Sequence, residues 1–312
     1  MAAVVRSRSA LALAAVAMAC AVPALTASIP DSAQAEQAST RPLVIAHRAG
    51  TSDFPENTVL AITESLKAGV DGEWLSVQAS KDGVPVLYRP TDLSALTDGS
   101  GPVAGKTLDE LVKLNAAYDF KGPDGSYPYR AHPVHIPTLE AALHVMPPGK
   151  QIYLDLKQAP AQHVVDAVTR LLDEKKAWDR VKLYSTDAEV TTLLSANARA
   201  QVAEARDATR QRLAEVVLEH TCRSTPPASS WAGFELKRQM TLEEKFTLGT
   251  GDAAVTAQLW TPQSVACFRS RSARTPIVML AVNTPGDLRT ATRLAATAVV
   301  VDSPRTILTG AQ

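Results

Sequence analysis

A histidine and an arginine stand side by side at His47 and Arg48, directly after the apolar run 43–46. An imidazole can take up and release a proton near neutral pH, and a guanidinium fork matches two oxygens of a phosphate. Other reactive side chains close apolar runs in the same way: Arg89, Asp155, Lys157, Glu204, Asn283 and Asp302. Imidazole, carboxylate and cation together are what acid–base chemistry on a phosphoester needs. Glu56 lies in the PENT stretch at 55–58. It can orient His47, approach a metal, or support a helix that Asn57 caps. The simpler roles are a strand-capping hydrogen bond for His47 and a surface ion pair for Arg48.

These residues need elements that bring them together. Strand patterns fall at 43–46, 73–78, 84–88, 152–156, 181–184, 200–204, 277–282 and 298–301. Helical patterns separate them at 58–68, 107–114, 138–145, 161–176, 188–196, 209–220 and 285–296. Such alternation predicts an α/β fold with a parallel sheet and covering helices. Eight strands fit a (β/α)8 TIM barrel, which gathers the C-terminal strand ends on one face. A doubly wound open sheet has the same pattern.

Two stretches interrupt the rhythm. Residues 115–135 are rich in Gly, Pro and Tyr and read as a long loop over the active face. Residues 224–271 read as an insertion, with extended segments at 234–248 and 254–260 around a turn at 249–252. The expectation is a β-hairpin stapled by Cys222 and Cys267.

The first 35 residues have the layout of a cleavable secretory signal peptide: Arg6 and Arg8, an Ala-rich apolar run, then Ala33-Gln34-Ala35. A retained anchor helix is the alternative. Residues 36–42 read as a polar tail, and the barrel as 43–312. Cleavage implies a secreted or periplasmic protein with no membrane span in the mature chain. Its two remaining cysteines are then expected to pair, stabilising the fold by roughly 4 kcal/mol on the chain-entropy model. Two separate buried thiols are the alternative. Acidic and basic residues balance at 32 each and no basic run occurs, so nothing points to nucleic acid.

The stretch LVIAHRAG at 43–50, PENT at 55–58 and SKDGVPVL at 80–87 resemble the glycerophosphodiester phosphodiesterase family. IPTLEAAL at 136–143, Tyr184-Ser185, MLAVN at 279–283 and VVVDSP at 299–304 extend the resemblance, interrupted at 208–275. The resemblance implies a TIM barrel that hydrolyses glycerophosphodiesters to glycerol 3-phosphate and an alcohol. It implies two proton-moving histidines and a divalent cation, calcium or magnesium, held by carboxylates. His47 matches one histidine. Asp155 and Lys157 match a metal ligand and its neighbouring lysine, with Asp155 one methylene shorter.

Between these landmarks the chain departs from the family. Trp74 and Ser76 stand at two carboxylate ligand positions, and Arg89 stands where the second histidine belongs. Indole cannot ligate these cations, and arginine cannot shuttle a proton. A β-bulge would be needed to turn Glu73, with Asp71, into the site instead. His132 or His135 on the long loop is the other route to rebuilding it. His144, His163 and His220 match no motif. The expectation is a metal-free anion site: His47, Arg48 and Arg89 as catalytic candidates, Glu56 and Lys157 as substrate contacts. A non-catalytic barrel that binds a phosphorylated ligand or a protein partner is the alternative.

Overall fold

In a computed structural model, residues 41–310 are described; the signal segment lies outside them. The elements follow in the order β1 (Leu43–His47), α1 (Val59–Ala68), β2 (Gly72–Ala79), β3 (Pro85–Leu87), α2 (Leu108–Leu111), α3 (Leu139–Val145) and β4 (Gln151–Leu156). Next come α4 (Ala161–Glu174), β5 (Val181–Tyr184), α5 (Ala188–Ser195), α6 (Arg206–Glu219), β6 (Ala232–Glu235), β7 (Arg238–Phe246) and β8 (Gly249–Ala257). The chain ends with α7 (Pro262–Arg269), β9 (Ile277–Leu280), α8 (Pro285–Arg293), β10 (Ala298–Val301) and α9 (Pro304–Thr309).

The main sheet is parallel and curled, in the order β5-β4-β2-β1-β10-β9-β6, with β3 antiparallel on β2. Its named strands leave it open between β5 and β6. Two single parallel bridges cross that gap, Leu183 to Val202 and Ala203 to Trp231. The strand expected at 200–204 is therefore reduced to these bridges. The run at 84–88 is an antiparallel flap rather than a member of the parallel set. Ala232–Glu235, which lies wholly within the expected insertion at 224–271, is a true sheet strand. Its four residues are too few for period-2 alternation to separate them from the hairpin that follows.

Alternation along each strand divides the side chains between two layers. Leu75, Val77, Leu154 and Leu156 pack outward under the helices. Ile45, Trp74, Tyr153, Tyr184, Trp231 and Val300 pack together on the other face, inside the curl. Helix α1 starts at Thr58, whose Oγ1 accepts the Ala61 N–H at 3.1 Å. Asn57 is not the cap as expected. Its backbone is left-handed, at φ 57°, and its side chain accepts the Ser76 N–H instead.

The insertion does contain a hairpin, β7–β8, with Phe246 paired to Gly249. Its turn is Thr247-Leu248, not the glycine-rich 249–252. A Cβ on Gly251 would come within 3.1 Å of the Phe246 ring, so that glycine makes room for the ring inside the ribbon. Leu242, Phe246 and Leu248 are exposed along the hairpin. Cys222 and Cys267 form a disulfide, with Cα atoms 5.7 Å apart. It joins the chain after α6 to helix α7, so it does not staple the hairpin's arms. Among the described residues, no helix is long and apolar enough to cross a membrane.

Candidate active site

A cavity of about 340 Å³ opens where the inward-facing strand ends converge. His47, Arg48, Arg89, Asp155 and Lys157 all line it. Glu56 does not. His47 ends β1 on the inner face. Its Nδ1 lies 2.6 Å from Asp302 Oδ1, just beyond β10, and Asn283 Nδ2 donates to the other Asp302 oxygen at 2.6 Å. The β1–β10 register brings these strand ends together. The His47 bond holds the Asp302 carboxyl below its usual range, and His47 charge and Asn283 add to this, against burial. Asp302 thus orients the imidazole with Nδ1–H toward the carboxylate, leaving Nε2 free to accept a proton.

Arg48 follows on a strained turn: Arg48, Ala49 and Gly50 all have positive φ, at 52°, 66° and 96°. A side chain at Gly50 would crowd Phe54 and Pro304 at 3.1 Å, so only glycine fits there. The turn aims Arg48 at Glu56, with Nη1 2.8 Å from Oε2, an oxygen that also accepts from Thr51 Oγ1 at 2.6 Å. Glu56 therefore anchors Arg48 from behind, and the orienting of His47 falls to Asp302.

The cavity floor explains the departures from the family pattern. Trp74 is 2% exposed and lies among Tyr153, Tyr184 and Trp231, with ring centroids 4.9–6.2 Å away. Its Nε1 points to Asp155 Oδ2 at 3.4 Å, a long hydrogen bond. Lys157 Nζ approaches Asp155 Oδ1 at 3.1 Å, an ion pair too poorly aligned to count as a hydrogen bond, and donates to Thr186 Oγ1 at 3.0 Å. Burial pushes the Asp155 carboxyl up, opposed chiefly by Lys157. Ser76 is buried and its Oγ has no partner.

Glu73 takes no part in the cavity. It faces outward against α1, where Ser65 Oγ donates to it at 2.5 Å. Burial drives its carboxyl well above the ordinary value, against the Ser65 bond and the Lys150 charge. No bulge reverses the strand, and Asp71 binds Arg41 and the Val44 N–H at its N-terminal end. His132 and His135 are exposed on the 115–135 loop, and neither lines the cavity. That loop is closed on itself by an Asn115–His135 bridge and by Arg130 stacked between Tyr118 and Tyr127. Glu204 is also turned away, bound by Arg212 and Thr209.

A divalent cation does not fit this donor set. Trp74 occupies one ligand position with a donor N–H. The carboxylates that line the cavity are already matched, Asp155 by Lys157, Glu235 by Arg206 and Arg238, and Asp302 by His47, whereas such an ion takes six or more oxygens. Among the described residues, no three His, Cys, Asp or Glu side chains group as metal ligands.

Arg206, Glu235 and Arg238 line the cavity without having been singled out from sequence. Arg206, at the start of α6, gives Nη1 to the Tyr184 hydroxyl at 3.0 Å and Nη2 to both Glu235 oxygens at 2.8 and 2.7 Å. Arg238, the first residue of β7, binds Glu235 Oε1 at 2.7 Å. Burial pushes the Tyr184 phenol up to about 12, so it stays protonated. Arg206 follows directly on the strand pattern at 200–204, the signal that could have found it. Arg238 was concealed in an expected hairpin arm.

Comparison with known proteins agrees with the geometry. Residues 47–306 match the Glycerophosphoryl diester phosphodiesterase family. Uncharacterized protein Rv2277c of Mycobacterium tuberculosis is 52% identical over 264 residues, covering 84% of this chain and 87% of that one. The crystal structure of the glycerophosphoryl diester phosphodiesterase domain of Rv2277c superposes with a TM-score of 0.82 at 49% identity, over 88% of this chain and all of that one. An Oleispira antarctica phosphodiesterase, solved in complex with the product sn-glycerol-3-phosphate, shares the fold at 21% identity and a TM-score of 0.62, over 87% and 97% of the two chains. This chain therefore belongs to the glycerophosphoryl diester phosphodiesterase family.

Proposed function

We propose that this protein is a phosphoric diester hydrolase acting on glycerophosphodiesters through a centre that works without a divalent cation. The observation that carries the reading is the oriented His47–Asp302 pair at the mouth of a cavity lined by Arg48, Arg89 and Lys157. His47 Nε2 takes the proton from the attacking hydroxyl. The three cations offset the charge that builds on the non-bridging oxygens, which is the part a metal ion otherwise plays. Among the described residues the Arg89 side chain makes no hydrogen bond or ion pair, and it lines the cavity, so its fork is available to the phosphate. The Oleispira protein's product, sn-glycerol-3-phosphate, is the ligand we assign to this end of the cavity.

We read the sheet as a (β/α)8 barrel whose strand at 202–203 has dwindled to two bridges. We also propose export by cleavage after Ala35, in keeping with the Cys222–Cys267 disulfide. A binding protein without turnover is the second reading. One observation favours it: His47 is the only imidazole among the described residues that line the cavity. A missing general acid typically costs ~10²–10⁴-fold in rate.

The test is hydrolysis of sn-glycero-3-phosphodiesters by the purified protein, with chelator and with added calcium or magnesium, beside His47→Ala. Chelator-resistant turnover that disappears in His47→Ala is the expected result. Turnover restricted to added metal would overturn the metal-free centre, and none above the variant would favour the binding protein.

A further inference from the structure

The wall built by Arg206, Glu235 and Arg238 has consequences for which diester fits, given the phosphodiester reading above. We propose that this wall selects diesters whose leaving alcohol is a polyol without positive charge, and rejects cationic alcohols such as choline.

β1 is the middle strand of the curled sheet, while β5 and β6 are its two ends. Arg206 and Glu235 lie where those ends approach each other, so the sheet order sets them across the cavity mouth from His47. Attacking and leaving oxygens lie roughly in line in phosphoryl transfer. With His47 on the attacking side, the leaving alcohol faces Arg206 and Arg238.

Charge comes next. A quaternary ammonium needs a free carboxylate or an open aromatic face. Glu235 is gripped by two guanidiniums, leaving the wall one positive charge in excess. The other lining carboxylates are equally engaged, Asp155 with Lys157 and Asp302 with His47. The two aromatic rings that line the cavity, Trp74 and Tyr184, are each only 2% exposed, so neither offers an open face. Lys157 Nζ already lies 6.0 Å from the Tyr184 ring centre. The half-exposed Arg238 keeps guanidinium N–H groups that suit hydroxyl oxygens. This also gives the insertion a role, because Arg238 is the root of its hairpin.

Calorimetric binding of sn-glycero-3-phosphoglycerol and sn-glycero-3-phosphocholine tests this, since the two share the same monoanionic diester. The glycerol compound is expected to bind at least about tenfold more tightly. Arg238→Glu should narrow or reverse that ratio, and Arg238→Lys should keep it. Equal or tighter binding of the choline compound, or an unchanged ratio in Arg238→Glu, would overturn the selectivity alone. If neither diester binds, the phosphodiester reading itself fails and the selectivity falls with it.

Discussion

Trp74 shows what a single side chain has done to this centre. It stands on the inner face of β2, where its ring packs with Tyr153, Tyr184 and Trp231 and its N–H donates to Asp155. Removing that ring opens a large void under the cavity, so Trp74→Ala should cost about 3–5 kcal/mol in urea denaturation. Asp302 acts in the opposite sense, keeping the retained histidine usable. Asp302→Asn leaves the shape intact but removes the carboxylate that fixes the His47 tautomer. Turnover should fall by ~10²–10⁴-fold with little change in binding of glycerol 3-phosphate. Steady-state kinetics beside calorimetry checks this, and an unchanged rate would remove Asp302 from the account.

Among the elements, β2 carries the clearest division of labour. Trp74 lines the cavity, Ser76 lies buried on the same strand face, and Glu73 faces α1, buried at 0% exposure. Burial raises the Glu73 carboxyl, so the folded state holds its proton more tightly than the unfolded state does. Stability is then full below the unfolded value and declines as pH rises toward the folded one. Glu73→Gln should flatten that decline, read as the urea midpoint against pH, with the two proteins converging at acid pH. The direction of Glu73 was legible in the sequence, because strand side chains alternate strictly and one residue changes the face. The Arg206–Glu235–Arg238 wall was not. It joins a helix start, a four-residue strand and a hairpin root, and no local period links residues so far apart. The hairpin's turn was misplaced for a related reason: glycine marks turns and also close approaches, and here Phe246 lies over Gly251.

At the scale of the whole molecule, motifs and strand periodicity were enough to foresee a parallel sheet flanked by helices. The weak closure at 202–203 was hidden, since pattern alone does not count hydrogen bonds. The disulfide ties the segment after α6 to α7, outside the hairpin. Replacing both cysteines by serine should lower stability by up to about 4 kcal/mol and leave ligand selectivity unchanged, because neither cysteine lines the cavity. The account as a whole rests on arginine and lysine standing in for a metal ion. The most direct measurement is calorimetric binding of sn-glycerol 3-phosphate to exhaustively chelated protein, with and without added calcium. The same affinity in both conditions is predicted; binding that appears only with calcium would contradict the account.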